Sequence, residues 1–225
     1  MSIAGIAEHL TDNGAALRST LDLRQINSEL KDKPPQAIMR WVVDSAKRPI
    51  VLTNFRPRAV GFLHMVTQVK PDIPVIWIDT GYNTPATYRF VELLTDRLDL
   101  DLHVYTSPVT AARRQAIHGD IPPLNTPEHD AFSRQVKLEP FERALREFKP
   151  DYWMNGIRHD QNAFRKTLDI VTTGPLGTLR AAPMFHLTEL DVEEYIYEHK
   201  LPDNDDYFDP TKGEEHRECG LLLAK

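Results

Sequence analysis

The chain holds one thiol, Cys219, in the run Arg217-Glu218-Cys219-Gly220-Leu221. A thiol attacks as its thiolate, so Arg217 favours the reactive form, Glu218 opposes it, and Gly220 permits an unusual backbone turn. Three further clusters set polar or basic residues straight after apolar runs: Thr53-Asn54-Phe55-Arg56-Pro57-Arg58, Asp79-Thr80-Gly81-Tyr82-Asn83, and Gly156-Ile157-Arg158-His159-Asp160-Gln161 continuing to Arg165. In the first, Thr53 or Asn54 is placed to cap a helix starting at Pro57, whose N–H groups and positive dipole end would face an anion, with Arg56 and Arg58 adding full charges. In the second, Gly81 allows a positive φ or a close approach by a ligand, and Asp79 can accept a hydrogen bond from a sugar hydroxyl or a base amine. In the third, Arg158, Gln161 and Arg165 lie at i, i+3 and i+7 and share a face if the segment is helical, where two guanidinium groups could clamp a diphosphate. Each cluster taken alone also reads as a solvated turn or helix face, the second above all, and a lone cysteine also reads as an inert small hydrophobe.

The elements that must position these residues are visible in the hydrophobic pattern. Leu10, Leu17, Leu21, Ile26 and Leu30 recur at roughly helical spacing before Lys31-Asp32-Lys33-Pro34-Pro35 interrupts, which predicts an N-terminal helical arm over 1–33. Pro35 suits the first turn of a helix to about residue 46, and Pro49-Ile50-Val51-Leu52-Thr53 reads as a strand. Residues 58–69 put Ala59, Val60, Leu63 and Val66 on one helical face, and Pro74-Val75-Ile76-Trp77-Ile78 reads as a strand buried on both sides. A helix over 85–98 follows, capped by Asn83 or Thr84; then a strand at 102–105, helices near 109–118 and 138–148, a strand at 151–155, a further strand within 178–185 and a helix over 188–199. Such alternation defines an α/β fold, a doubly wound, mostly parallel sheet with helices on both faces, spanning 34–200. In these sheets ligands sit beyond the carboxyl ends of the strands, where all three clusters fall. From Leu201 to residue 225 the sequence predicts a polar tail with no core face.

Composition narrows the function. At 225 residues and 41% hydrophobic content the chain can bury an ordinary core, and a formal charge of −6 argues against a general nucleic-acid binder. With no run near the roughly 18 apolar residues needed to cross a bilayer, and Glu8 and Asp12 near the N-terminus, a cytoplasmic location is expected and no membrane association. A single cysteine rules out an intrachain disulfide and a cysteine-ligated iron–sulfur cluster, and the nine histidines show no metal-binding spacing.

The run from Pro71 through Asp79-Thr80-Gly81-Tyr82, followed by Thr87-Tyr88-Arg89-Phe90, resembles the Asp-Thr-Gly segment of 3′-phosphoadenylylsulfate (PAPS) reductases. Residues 156–165 resemble that family's arginine loop, and Arg217-Glu218-Cys219-Gly220-Leu221 resembles its C-terminal catalytic motif, so the similarity runs from about residue 36 to the end. The resemblance implies an adenine-nucleotide α-hydrolase-like fold, a homodimer, and reduction of PAPS to sulfite and adenosine 3′,5′-bisphosphate, with thioredoxin or glutaredoxin supplying electrons and no tightly bound cofactor. It also implies roles: Thr53, Asn54, Arg56 and Arg58 near the phosphosulfate, Asp79, Thr80, Gly81 and Tyr82 near the nucleoside, Arg158, Gln161 and Arg165 on phosphates, Arg217 beside the thiol, and Cys219 as nucleophile. Related enzymes that reduce adenylylsulfate carry extra cysteines for a cluster; this chain has none and fits the PAPS branch.

Four positions depart from the family pattern. The first loop lacks the usual Ser or Gly, His159 stands for a second arginine, His216 for a lysine, and Leu222 for a histidine. These departures keep open a weakly catalytic or inactive nucleotide-binding paralogue with a regulatory role. An ATP pyrophosphatase is disfavoured, because the first loop has no Ser-Gly-Gly-x-Asp-Ser pattern.

Overall fold

A computed structural model of the chain describes residues 22–212; Arg217 and Cys219 lie outside the described residues, as does 1–21 of the arm. Six strands form one sheet: β1 (Pro49–Thr53), β2 (Pro74–Asp79), β3 (Asp101–Thr106), β4 (Tyr152–Met154), β5 (Val171–Thr173) and β6 (Leu179–Ala181). Their spatial order is β3-β2-β1-β4-β6-β5, parallel throughout except for the β5–β6 pair. Val51 at the centre of β1 stands opposite Val75 on one side and Met154 on the other.

The alternation of side chains along these strands divides the interior in two. Val51, Val75, Trp77, Tyr152 and Met154 point into the larger core. It is closed by α1 (Leu23–Leu30), α2 (Pro35–Ser45), α3 (Ala59–Val69), α4 (Pro85–Leu98) and α8 (Glu189–Glu198). Ile50, Ile76, Ile78 and Trp153 point the other way onto Phe141, Ala144 and Leu145 of α7 (Glu139–Phe148). The continuous apolar run of β2 is therefore what a strand buried on both faces requires. Two shorter helices, α5 (Ala111–His118) and α6 (Pro127–Ser133), lie between β3 and α7, and a π-helical turn at Arg134–Leu138 joins α6 to α7.

Local sequence explains most boundaries. Thr84 caps α4 by accepting from the Thr87 N–H with Pro85 in the first turn, and Thr188 caps α8 in the same way through Asp191. At the first loop the expected cap does not form. The helix begins at Ala59, and the residue before it, Arg58, has φ +68 and no side-chain cap. The strand expected within 178–185 is only β6, and its antiparallel neighbour β5 was not expected.

The described parts of the two terminal stretches, 22–33 and 201–212, pack onto the α/β body. Leu30 of the arm is 4% exposed and lies in the larger core. The strap after α8 also differs from a polar tail: Asp209 and Thr211 are buried, because its polar groups find partners on four other elements.

Candidate active site

The strand order reverses direction at β1 and β4, the chain having gone outward to β2 and β3 before returning. That switch point opens a crevice at the carboxyl ends of the two strands. A cavity of about 120 Å³ sits there, lined among others by Thr53, Asn54, Arg56, Lys137, Asn155 and Arg158. Arg165 and Met184 add to its wall, so five basic residues line it: Arg56, Arg58, Lys137, Arg158 and Arg165.

The first loop is shaped by backbone strain. Phe55 and Arg58 both have positive φ, at +50 and +68, where a side chain is normally disfavoured. The Phe55 ring is fully buried, edge-on to Trp77 at 5.4 Å between centroids, and this packing holds the turn without glycine. The turn is tied internally by the Phe55 N–H donating to Thr53 Oγ1 and by the Arg56 N–H donating to Asn54 Oδ1. It presents Arg56 to the cavity.

The third loop reaches the same place without forming a helix. Two short 3-10 turns, His159–Gln161 and Arg165–Thr167, fold Arg158, Gln161 and Arg165 together. Gln161 Oε1 accepts from the Arg158 N–H at 3.1 Å and from Arg165 Nη1, which fixes both arginines. Arg158 and Arg165 are 3% and 5% exposed; Asp160 receives a bond from Arg158 Nε at 3.0 Å, and Glu189 lies 3.5 Å from Nη2. The Gln161 Nε2 is buried and has no acceptor among the described residues, an arrangement that a ligand oxygen would complete. His159 is not among the residues lining the cavity. Its N–H donates to the Phe185 carbonyl and its Nδ1 lies 2.8 Å from the same oxygen.

Arg56 is pressed by its neighbours. Its pKa is lowered by loss of hydration, then by the fields of Arg165 and Arg158, so three like charges face one another. Concentrating cations in this way costs free energy unless anions occupy the space between them.

Other expected residues are placed differently. Arg58 lines the rim, but its guanidinium is engaged by Glu193, Asp203 and Asp205. Asp79, Thr80, Gly81 and Tyr82 are not among the residues lining the cavity. Asp79 Oδ1 instead builds its own loop, accepting from the Gly81 N–H, Asn83 Nδ2 and the Tyr88 hydroxyl; burial, then the Asp79 charge and hydrogen bond, push the Tyr88 pKa up to about 12. Gly81 has φ +81, which the turn requires. Lys137, which the sequence did not single out, lies in the π-helical turn and lines the cavity. It is 5% exposed and pairs with Asp209 of the strap at 2.5 Å.

Fold and cavity together define a parallel α/β protein with a polycationic pocket at its topological switch point. The family model described as the phosphoadenosine phosphosulfate reductase domain matches residues 48–209. The phosphoadenosine 5′-phosphosulfate reductase of Synechococcus sp. is 37% identical over 182 residues, which is 80% of this chain and 78% of that protein. The Vibrio cholerae protein of the same name is 33% identical over 202 residues, 89% of this chain and 79% of that one. Among solved structures, phosphoadenylyl-sulfate (PAPS) reductase from Candida auris, a phosphate complex, matches with a TM-score of 0.73 at 25% identity, covering 83% of this chain and 91% of that one. A Candida glabrata FMN adenylyltransferase bound to ATP shares the fold alone, at 15% identity and a TM-score of 0.54. The chain belongs to the phosphoadenosine phosphosulfate reductase family.

Proposed function

We propose that this protein reduces 3′-phosphoadenylylsulfate to sulfite and adenosine 3′,5′-bisphosphate in sulfate assimilation, with Cys219 as nucleophile. The observation that carries the reading is the convergence of Arg56, Lys137, Arg158 and Arg165 on one cavity at the strand ends. A phosphosulfate is a compact polyanion, and planar guanidinium forks match its oxygens. The named relatives support the same substrate.

The Cys219 thiolate attacks the sulfur of the sulfuryl group and the bond from that sulfur to the phosphate oxygen breaks. Adenosine 3′,5′-bisphosphate leaves with the electron pair, and the enzyme carries an S-sulfocysteine. A reduced dithiol carrier, thioredoxin or glutaredoxin, then attacks the Cys219 sulfur, releasing sulfite. The second carrier thiol resolves the mixed disulfide, so the carrier ends oxidised by two electrons and Cys219 returns to the thiol. The cavity's cations stabilise the departing phosphate and raise the thiolate fraction, which for an unperturbed thiol at pH 7 is only about 3%.

The strap supports access. Thr211 Oγ1 accepts from Lys137 Nζ at 3.1 Å, beside the cavity, and Cys219 follows eight residues later, a span of at most about 29 Å. A cytoplasmic homodimer completes the proposal.

Incubation of the full chain with PAPS, without reductant, should add about 80 Da to the intact mass, as expected for transfer of one sulfuryl group to a thiol. The Cys219→Ser variant should show neither the adduct nor sulfite release. Sulfite released at the wild-type rate by that variant rules out the nucleophile; tight nucleotide binding with no adduct in the wild type supports the non-catalytic paralogue instead.

A further inference from the structure

Arg58 lies two residues from Arg56, yet its charge is spent away from the cavity. Nε and Nη2 donate to Glu193 Oε1 at 3.0 and 2.5 Å, Nη1 donates to Asp203 at 3.0 Å and Asp205 at 2.5 Å, and Glu189 lies 3.9 Å from Nε. Asp203 also accepts from the Arg58 N–H at 3.0 Å, so a carboxylate of this chain already occupies the N-terminus of α3. Burial works against the Arg58 charge, but the bonds to Glu193 and Asp205 and the field of Asp203 raise its pKa. Four carboxylates around one cation leave a negative locality, the wrong field for a phosphosulfate.

Those carboxylates come from two places, α8 and the strap. Beyond Asp205 the strap crosses the carboxyl edge of the sheet. The Asp206 carbonyl accepts from the Thr84 and Thr87 hydroxyls at 2.9 Å each, the Tyr207 hydroxyl accepts from Asn54 Nδ2 at 2.8 Å, and Asp209 reaches Lys137. We infer that Arg58 is a positioning residue: by tying the first loop to Asp203 and Asp205 it fixes the strap so that the chain beyond Lys212 starts at the rim of the cationic cavity. The inference rests on the reading that Cys219 reacts in that cavity. Arg58 then sets the effective concentration of the thiol at bound substrate and leaves the affinity for nucleotide to Arg56, Arg158 and Arg165.

The test uses the full chain, wild type against Arg58→Ala and Arg58→Lys, with two readouts: calorimetric affinity for adenosine 3′,5′-bisphosphate, and the single-turnover rate of Cys219 sulfonation at saturating PAPS, followed by mass. The alanine variant should sulfonate about tenfold or more slowly while its affinity stays within about twofold, and lysine should recover part of the rate. Affinity weakened tenfold with an unchanged saturated rate would make Arg58 a substrate ligand and overturn the inference. If Arg58→Ala does not fold, the Asp203→Asn/Asp205→Asn variant loosens the same anchor from the strap side and should show the same slow sulfonation at unchanged affinity; a wild-type rate there overturns it equally. Failure of the underlying reading has its own signature, since Cys219→Ser would then still release sulfite.

Discussion

Replacing Asp209 by asparagine removes one charge from the strap's buried anchor and leaves its shape. In the native protein Lys137 Nζ donates to Asp209 Oδ2 at 2.5 Å and to Thr211 Oγ1 at 3.1 Å, while Asp209 Oδ1 accepts from the Thr211 N–H and hydroxyl at 3.0 and 2.7 Å. Both side chains of the pair are nearly closed to water, at 7% and 5% exposure, so the ammonium left behind cannot recover its hydration. Breaking such a pair from one side costs about 3–5 kcal/mol, and because asparagine can still accept from Thr211 the lower end, about 3 kcal/mol or roughly 150-fold, applies. This loss should register as faster amide exchange at Thr211 and Lys212, the residues next to the anchor, before it registers in global unfolding. The pH dependence has a definite sign. Burial raises the Asp209 pKa, but Lys137 and the hydrogen bonds overcome this and hold it below the ordinary carboxylate value. A depressed folded pKa contributes stability that is complete above the unfolded value of about 3.9 and is lost as pH falls through the folded one. The gap in protection between wild type and Asp209→Asn should therefore be full at pH 7 and shrink steadily below about pH 4, as the native carboxyl becomes a neutral analogue of the amide. Unchanged Thr211 protection at pH 7, or a gap as wide in acid as at neutrality, would refute this account of the anchor.

Two further perturbations separate binding from folding. Arg165→Ala should weaken adenosine 3′,5′-bisphosphate binding by about 2 kcal/mol, near 30-fold, the worth of a charge-assisted hydrogen bond in a buried setting; calorimetry giving the wild-type affinity would remove Arg165 from the site. Gly174→Ala should destabilise the fold by about 1–3 kcal/mol in urea unfolding. The reason is local: its new Cβ would stand 2.5 Å from Thr178 Oγ1 and 2.8 Å from Trp153 Nε1, atoms bonded to each other at 3.0 Å.

The parallel sheet could be read from the chain because its central strands are self-declaring. Val75 and Trp77 serve one core, Ile76 and Ile78 the other, and a run that must be apolar at every position leaves little choice of structure. Caps such as Thr84 before Pro85 act within four residues and were equally visible. What sequence did not show depends on distant partners. Arg56 and Arg58 are the same residue type in the same loop; only the left-handed backbone at Arg58 and carboxylates some 135 to 147 positions away separate their tasks. Lys137 and Asp209 are brought together only by the fold, across 72 residues of sequence. The short β5 offers three residues, too few for periodicity to speak. In the third loop turns rather than a helix gather Arg158, Gln161 and Arg165, a geometry that their spacing in the sequence did not show.

The contact between α1 and β5 bears on solubility. Asn27 Nδ2 donates to the Val171 carbonyl at 2.9 Å and its Oδ1 accepts from the Val171 N–H at 2.8 Å, so a single carboxamide imitates one peptide unit of a seventh strand. Because β5 is the last strand on that side among the described residues, this mimicry covers part of a border where another molecule could otherwise add by main-chain pairing. A truncation that discards the arm at residue 33 would uncover the Val171 N–H and carbonyl, leaving this stretch of backbone open to pairing by another chain.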